Sequence, residues 1–376
     1  MTALRTSAAA VFLLLILALG HTISNLVRTM PAVSADVIAT DLAIAPADVA
    51  ALTGLYHLGF ALGQIPVGVA LDRYGVRPVS MVLLLIVAIG ALGTAFVSDS
   101  LGFGFTQFVL GLGCSGMLLC PLTYAAKTQD GPSFALWSAL VLAVGNSGMV
   151  LSASPLAYVI DGWGWRVAFA VPCGMALAVT GAVWLRLRDD KPASCAAMPI
   201  IAEVREVVRI GVSPALRGVV ALSLVSFAVM IGIRGVWAGP WLMEDKGLGR
   251  IEAANAILLL TVMLIVMPMV VSVIERRVGH AGRLLVGGHV LAGLCLVALP
   301  LGTGLAVGYD VALLAAFGAF ISVQPLLFAM GRHSVTTQNA GKALSAVNLA
   351  FFTGAAIVQV LSSPVAAWWG TGGVIV

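Results

Sequence analysis

Arg28 and Arg234 each stand inside a long apolar run of the chain. A guanidinium at the middle of a bilayer costs about 2.5–3.5 kcal/mol or more, so such a residue normally turns to a bundle interior or a water-filled cavity. Around the first, His21-x-x-x-Asn25-x-x-Arg28 places polar groups at i, i+4 and i+7, on one helix face. Ser223, Ser226, Met230, Arg234 and Trp237 share a face by the same spacing. No Asp or Glu lies at comparable depth in any apolar run, so neither arginine has a counter-charge legible in the sequence. Two guanidiniums on one cavity repel each other unless an anion neutralises them, and guanidinium is the side chain best matched to carboxylate or phosphate in two-pronged geometry. The pattern points to a small anionic ligand. The alternative is that each arginine caps carbonyls at a helix break or snorkels to the surface.

Other groups in the apolar runs extend this candidate site. Tyr56, Ser226, Gln324 and Asn348 join Arg28, Arg234, His21 and Asn25 as candidate ligand contacts, with Gln64, Tyr124 and Asn146 as further cavity candidates. Histidine changes charge between about pH 5 and 8, and the apolar runs hold His21, His57 and His289. His21 shares a face with Arg28 and His57 with Gln64, so either could carry a proton with an anion. A neutral, hydrogen-bonded core histidine is the competing reading, and anion exchange needs no proton carrier. Cys114-x-x-Met117-x-x-Cys120 and Met263-x-x-x-Met267 are soft groups of the kind Cu(I) takes. Methionines in so apolar a chain are more simply packing, and no metal site is expected. The sequence has no G-x-x-x-x-G-K-S/T, H-E-x-x-H or G-x-S-x-G, so neither an enzyme activity nor a cofactor is expected.

The elements that position these residues must cross a bilayer. Of the 376 residues, 60% are hydrophobic and 10% charged, whereas a soluble domain carries about 25% charged residues. A soluble globular protein is excluded. Eleven apolar runs of spanning length lie at 8–34, 47–71, 78–98, 101–126, 133–160, 165–187, 214–241, 251–274, 283–303, 306–330 and 341–366. A twelfth begins near Trp368, so the last helix reads as truncated. The first run imitates a signal peptide after Arg5 but continues past His21 without a small-x-small cleavage site, and reads as an uncleaved span. Cys114, Cys120, Cys173, Cys195 and Cys295 sit mostly in apolar runs with no disulfide-like spacing.

The stretch 188–213 is longer and more polar than the other connections. It separates a first half, 1–187, with six spans from a second half, 214–376, with five spans and a stub. With the N-terminus in the cytoplasm, fifteen of the twenty Lys and Arg residues fall on the cytoplasmic side, against Arg166, Lys246 and Arg250 opposite. Topology therefore explains the net charge of +4, and no nucleic-acid partner is expected. The halves read as copies of one unit. Ser154-Pro155 and Gly145 recur 209 residues later as Ser363-Pro364 and Gly354, Asp72-Arg73 recurs 203 later as Glu275-Arg276, and Arg28 and Arg234 are 206 apart.

The turn after the second span reads Gly68-x-x-x-Asp72-Arg73-x-Gly75-x-Arg77. It resembles the signature loop of the major facilitator superfamily at every defining position. That resemblance implies an all-α membrane protein with two pseudo-symmetric six-helix halves around a central cavity, and a cytoplasmic gate loop formed by Gly68, Asp72, Arg73, Gly75 and Arg77. Within the loop, Gly68 would allow close approach of a neighbouring helix, Asp72 can pair with basic groups, and Gly75 allows a tight turn. The span-four arginine common in that family is replaced by Gln107, and the span-five stretch Gly145-Asn146-Ser147-Gly148 lacks the compact Gly-Pro motif of drug exporters. Asn25-Leu26-Val27-Arg28 and Ile233-Arg234-Gly235-Val236-Trp237 are similar to the arginine-bearing segments of organophosphate:phosphate antiporters and related organic-anion transporters. The resemblance implies a monomeric secondary transporter of a small organic or phosphorylated anion, by proton symport or exchange, in a bacterial inner membrane. A drug or metabolite exporter, a Cu(I) importer and a non-transporting membrane component are the alternatives.

Overall fold

The computed structural model describes residues 8–128, 131–188, 200–302, 304–336 and 339–375. Eleven helical stretches are long and apolar enough to cross a bilayer, and no strand occurs among the described residues. In chain order these spans are Val11–Thr29, Pro46–Tyr74, Val76–Phe96, Ser100–Thr128, Leu140–Trp163, Trp165–Arg186, Arg217–Asp245, Arg250–Val278, Ala281–Leu301, Val307–His333 and Ala340–Trp368. The protein is thus a multi-pass membrane protein with the spans the apolar runs predict. Residues 189–199 of the polar connection between the halves, Cys195 among them, lie outside the described residues; its second part is the amphipathic helix Ile200–Gly211. On the exposed face of that helix, hydrogen bonds from Arg209 hold the Glu206 carboxyl below the usual carboxylate range.

Four spans are interrupted, each just before a proline. Turns occur at 115–118 before Pro121 in span four, at 152–153 before Pro155 in span five and at 322–324 before Pro325 in span ten. Span seven instead widens into π-helical turns, Ile233–Trp237 and Trp241–Asp245, on either side of Pro240. Proline lacks the N–H that would close the preceding turn and its ring crowds the carbonyl four residues back. The interruptions therefore free backbone groups inside the bundle, as membrane helices tolerate only where other protein groups satisfy them.

The duplication is visible in the packing. Span five lies against span one so closely that a Cβ on Gly148 would overlap the Thr22 carbonyl oxygen, and span eleven lies against span seven so that a Cβ on Gly354 would overlap that of Leu224. Spans two and eight both end on a glycine at positive φ, Gly75 at 85° and Gly279 at 66°. Across the halves, span two packs on span eleven at Gly54, where a Cβ would meet the Ala356 carbonyl oxygen at 3.3 Å. Side chains of spans one, two, four, five, seven, eight, ten and eleven line the space at the molecular centre.

Candidate functional site

A cavity of about 560 Å3 lies between the two halves. His21 and Arg28 of span one, Gln64 of span two and Asn146 of span five face it from the first half; Gln324 of span ten and Asn348 of span eleven face it from the second. Its wall continues along Leu118, Ser272 and Phe328, which lie in the parts of spans four, eight and ten that run toward the Asp72-Arg73 turn. The cavity therefore opens on the side of that turn. There a Cβ on Gly68 would meet nothing within 4 Å, contrary to the close approach expected of it, and Asp72 and Arg73 are exposed. Arg77 instead fastens its own half by donating from Nη2 to the Trp184 carbonyl at 3.0 Å.

The opposite end is shut. Arg250 at the start of span eight donates to Asp36 through Nη1 and Nη2 at 2.7 and 2.8 Å, to the Val33 carbonyl at 2.6 Å and to Asp161 at 2.7 Å. The acceptors belong to the first half, so one guanidinium staples both halves together. Beside it, Ser154 donates to Asn255 Oδ1 at 2.6 Å, and the backbones touch where a Cβ on Gly239 would overlap the Ala32 carbonyl oxygen.

Arg28 is held from one side and bare on the other. Its Nη2 donates to Asn25 Oδ1, and the Asn25 amide donates in turn to the Gly145 carbonyl at 2.9 Å. Asn25 thereby fixes the guanidinium through the helix-one to helix-five contact rather than facing the cavity itself. His21 lies on that same contact, its Nε2 3.4 Å from the Asn25 amide nitrogen and its ring against Gly145. The guanidinium carbon lies 5.5 Å from the Phe227 ring centre and 5.8 Å from that of Phe352. Its Nε is buried without a partner, and no Asp or Glu is among the cavity-lining residues.

Arg234 is placed differently from the expectation that both arginines face one cavity. It is fully buried. Because span five breaks at Ser152, the Ala153 N–H bonds to the Val150 carbonyl at 3.1 Å, and the Met149 carbonyl is left to other donors. Arg234 Nη2 takes it at 2.6 Å and reaches Ser152 Oγ at 3.1 Å, while Nε donates to Thr261 Oγ1 at 2.5 Å. In this conformation Arg234 caps the Met149 carbonyl at a helix break, and the break belongs to the other half. Spans one and seven cross where a Cβ on Gly235 would sit 3.6 Å from the Arg28 carbonyl oxygen, and of the two arginines Arg28 lines the cavity while Arg234 does not.

The remaining candidates divide in the same way. Gln324 and Asn348 line the cavity with their amides engaged: Gln324 donates to the Ser226 carbonyl and Asn348 to Gln64 Oε1, both at 2.7 Å. Ser226 stands behind the wall, its hydroxyl 2.7 Å from His289 Nε2. Tyr56 is buried against span one and donates to the Ser24 carbonyl at 3.2 Å. His57 is sealed between halves and donates from Nδ1 to Gln359 Oε1 at 3.1 Å. Met117 packs against Gly20, where its sulfur would lie 2.8 Å from a Cβ, and no group of three or more metal-binding His, Cys, Asp or Glu side chains occurs among the described residues. Lys246, expected on the side opposite the cytoplasm, forms a buried ion pair at 3.1 Å with Asp310 of span ten. The sequence reading missed the phenylalanines of the wall, Phe60, Phe227 and Phe352 among them; Phe351-Phe352 at mid-span beside Asn348 was the available signal.

Two pseudo-symmetric helical halves enclose a cavity that is open at one end and bolted at the other, in a multi-pass helical membrane protein. The family profile of the Major Facilitator Superfamily matches residues 11–359, and the chain belongs to that superfamily. It is 34% identical over 122 residues to the Escherichia coli K12 inner membrane metabolite transport protein YdjE, covering 32% of this chain and 26% of that protein. It is 26% identical over 223 residues to the putative niacin/nicotinamide transporter NiaP of Bacillus subtilis 168, covering 58% of this chain and 54% of that protein. The chain thus spans about a quarter to a half of the length of these relatives. A solved bacterial homologue of the lysosomal transporter Spinster, inward-facing and unoccupied, superposes with a TM-score of 0.79 at 16% identity, covering 97% of this chain and 84% of that one.

Proposed function

We propose that the protein is a secondary transporter that carries a small organic anion by alternating access, with Arg28 as the group that holds the anion. The observation that supports this most directly is a guanidinium on a central cavity with no acidic partner, oriented from behind by Asn25 and Gly145. Guanidinium grips a carboxylate through two parallel N–H bonds. One cavity-facing arginine, rather than two, favours a singly charged carboxylate over a dianionic phosphate ester. The Bacillus relative is named for niacin, a carboxylic acid, and for nicotinamide, an uncharged amide. Both walls of the cavity come from one chain, so a monomer suffices. With the basic turns in the cytoplasm of a bacterial inner membrane, this conformation faces inward. His21 is the titratable group best placed to bring a proton with the anion.

Purified protein in proteoliposomes tests the reading with a panel of small carboxylates. Arg28→Ala is expected to lower uptake at least about tenfold, and Arg28→Lys to recover part of it, since an ammonium keeps the charge and loses the fork. Full uptake with unchanged apparent affinity in Arg28→Ala would overturn it.

A further inference from the structure

We infer that the anion held at Arg28 is an aromatic monocarboxylate, its ring received by a phenylalanine wall that both halves build; this rests on the anion reading above. Five of the chain's fourteen phenylalanines line the one cavity, Phe60, Phe227, Phe328, Phe351 and Phe352. They form a continuous stack. Phe60 lies on Phe352 with ring centres 3.7 Å apart, Phe352 is tilted against Phe227 at 5.0 Å, Phe227 stacks on Phe351 at 5.2 Å, and Phe328 meets Phe351 edge-on at 5.2 Å.

The guanidinium of Arg28 lies at this wall, close to the Phe227 and Phe352 rings. A carboxylate bonded directly to an aromatic ring is coplanar with it. Such a ligand, gripped two-pronged by the guanidinium, carries its ring into contact with the phenylalanines, where offset and edge-to-face arrangements are favoured beyond simple area burial. An aliphatic carboxylate of equal size buries similar apolar area and gains none of that preference. A polyhydroxylated acid fares worse. The amides of Gln64, Gln324 and Asn348 each already donate one N–H, to Ser115, Ser226 and Gln64, and most of the lining is apolar, so an acid with many hydroxyls would bury some of them against phenylalanine without partners.

The test compares benzoate with cyclohexanecarboxylate, which share charge and carbon count and differ in the ring. Binding to the full chain in detergent is read by thermal shift, and competition for uptake is read in proteoliposomes. Benzoate is expected to bind at least about fivefold more tightly. That ratio should collapse toward one in Phe227→Leu and Phe352→Leu, with the melting temperature of the ligand-free variants as the control for folding. Equal affinities in the wild type, or a ratio that survives in both well-folded variants, overturns the aromatic assignment and leaves the anion reading standing. Failure of both acids to bind, or binding of both indifferent to Arg28→Ala, overturns the anion reading as well.

Discussion

Arg234 donates to the Met149 carbonyl at 2.6 Å, and so ties span seven of the second half to the broken span five of the first. Met149 also lines the central cavity, which places this tie directly behind the site. A hydrogen bond to a charged group contributes about 1.5–3 kcal/mol, and Arg234 makes this one only while the halves are shut on the Arg250 side. Arg234→Ala is therefore expected to shift the population toward opening on that side by about tenfold or more. In a background with the native cysteines replaced by serine, Val33→Cys provides the reading: its labelling from the Arg250 side should accelerate with Arg234→Ala. Unchanged labelling would mean that the tie does not govern closure.

Arg250 makes a second closure with a different signature, because it is partly solvated. Its side chain is 12% exposed, against 36% for Asp36 and 43% for Asp161. Solvent screening holds each such pair to about 1 kcal/mol or less. Arg250→Glu should open this end by a few-fold, sensitively to salt, and the exchange Arg250→Asp with Asp36→Arg should restore part of the closure. The Val33→Cys labelling rate at low and high salt measures both effects.

Backbone contact at the shut end gives a sterically sharp prediction. Gly239 touches the Ala32 carbonyl oxygen, so Gly239→Ala forbids this closure and should abolish transport while leaving labelling at Val33→Cys high. Gly68→Ala meets nothing within 4 Å here and should leave the melting temperature unchanged. Any slowing of turnover by Gly68→Ala would then report packing of the gate loop in the opposite conformation. Gly75 sits at φ 85° and ψ 176°, a region essentially confined to glycine where another residue costs about 1–3 kcal/mol, so Gly75→Ala should lower the melting temperature measurably.

How far the sequence could be read depended on the range of the interaction. The spans, the turn at Gly75 and the face shared by His21, Asn25 and Arg28 follow from local spacing, and the structure has them. The sequence spacing pairs Gly145 with Gly354, but the glycine whose span touches its neighbour's backbone as Gly354 does is Gly148; Gly145 meets the His21 ring instead. The partner of Arg234 was not legible. It depends on a carbonyl freed by a helix break 85 residues earlier in the other half. Lys246 looked like a loop charge because it follows its span, yet it is buried in an ion pair with Asp310 of span ten, a partner that local spacing does not reveal.

His21 lines the cavity on the same face as Arg28, and no carboxylate stands among the lining residues to compensate a charge there. A proton on His21 in the empty cavity would stand beside the Arg28 charge; with an anion bound, the same proton adds a second attraction. Proton and anion therefore assist each other's binding, and linkage makes the assistance reciprocal. The sign follows: apparent affinity for the anion should improve as pH falls. His21→Gln keeps a polar group of similar size without the titration and should flatten that dependence. His57, sealed between the halves against Gln359, should leave it in place when changed to Gln. Uptake measured against pH in proteoliposomes, with an imposed proton gradient and without one, decides the matter. A wild-type pH profile retained in His21→Gln would make exchange of one anion for another the better account of how Arg28 is loaded and emptied.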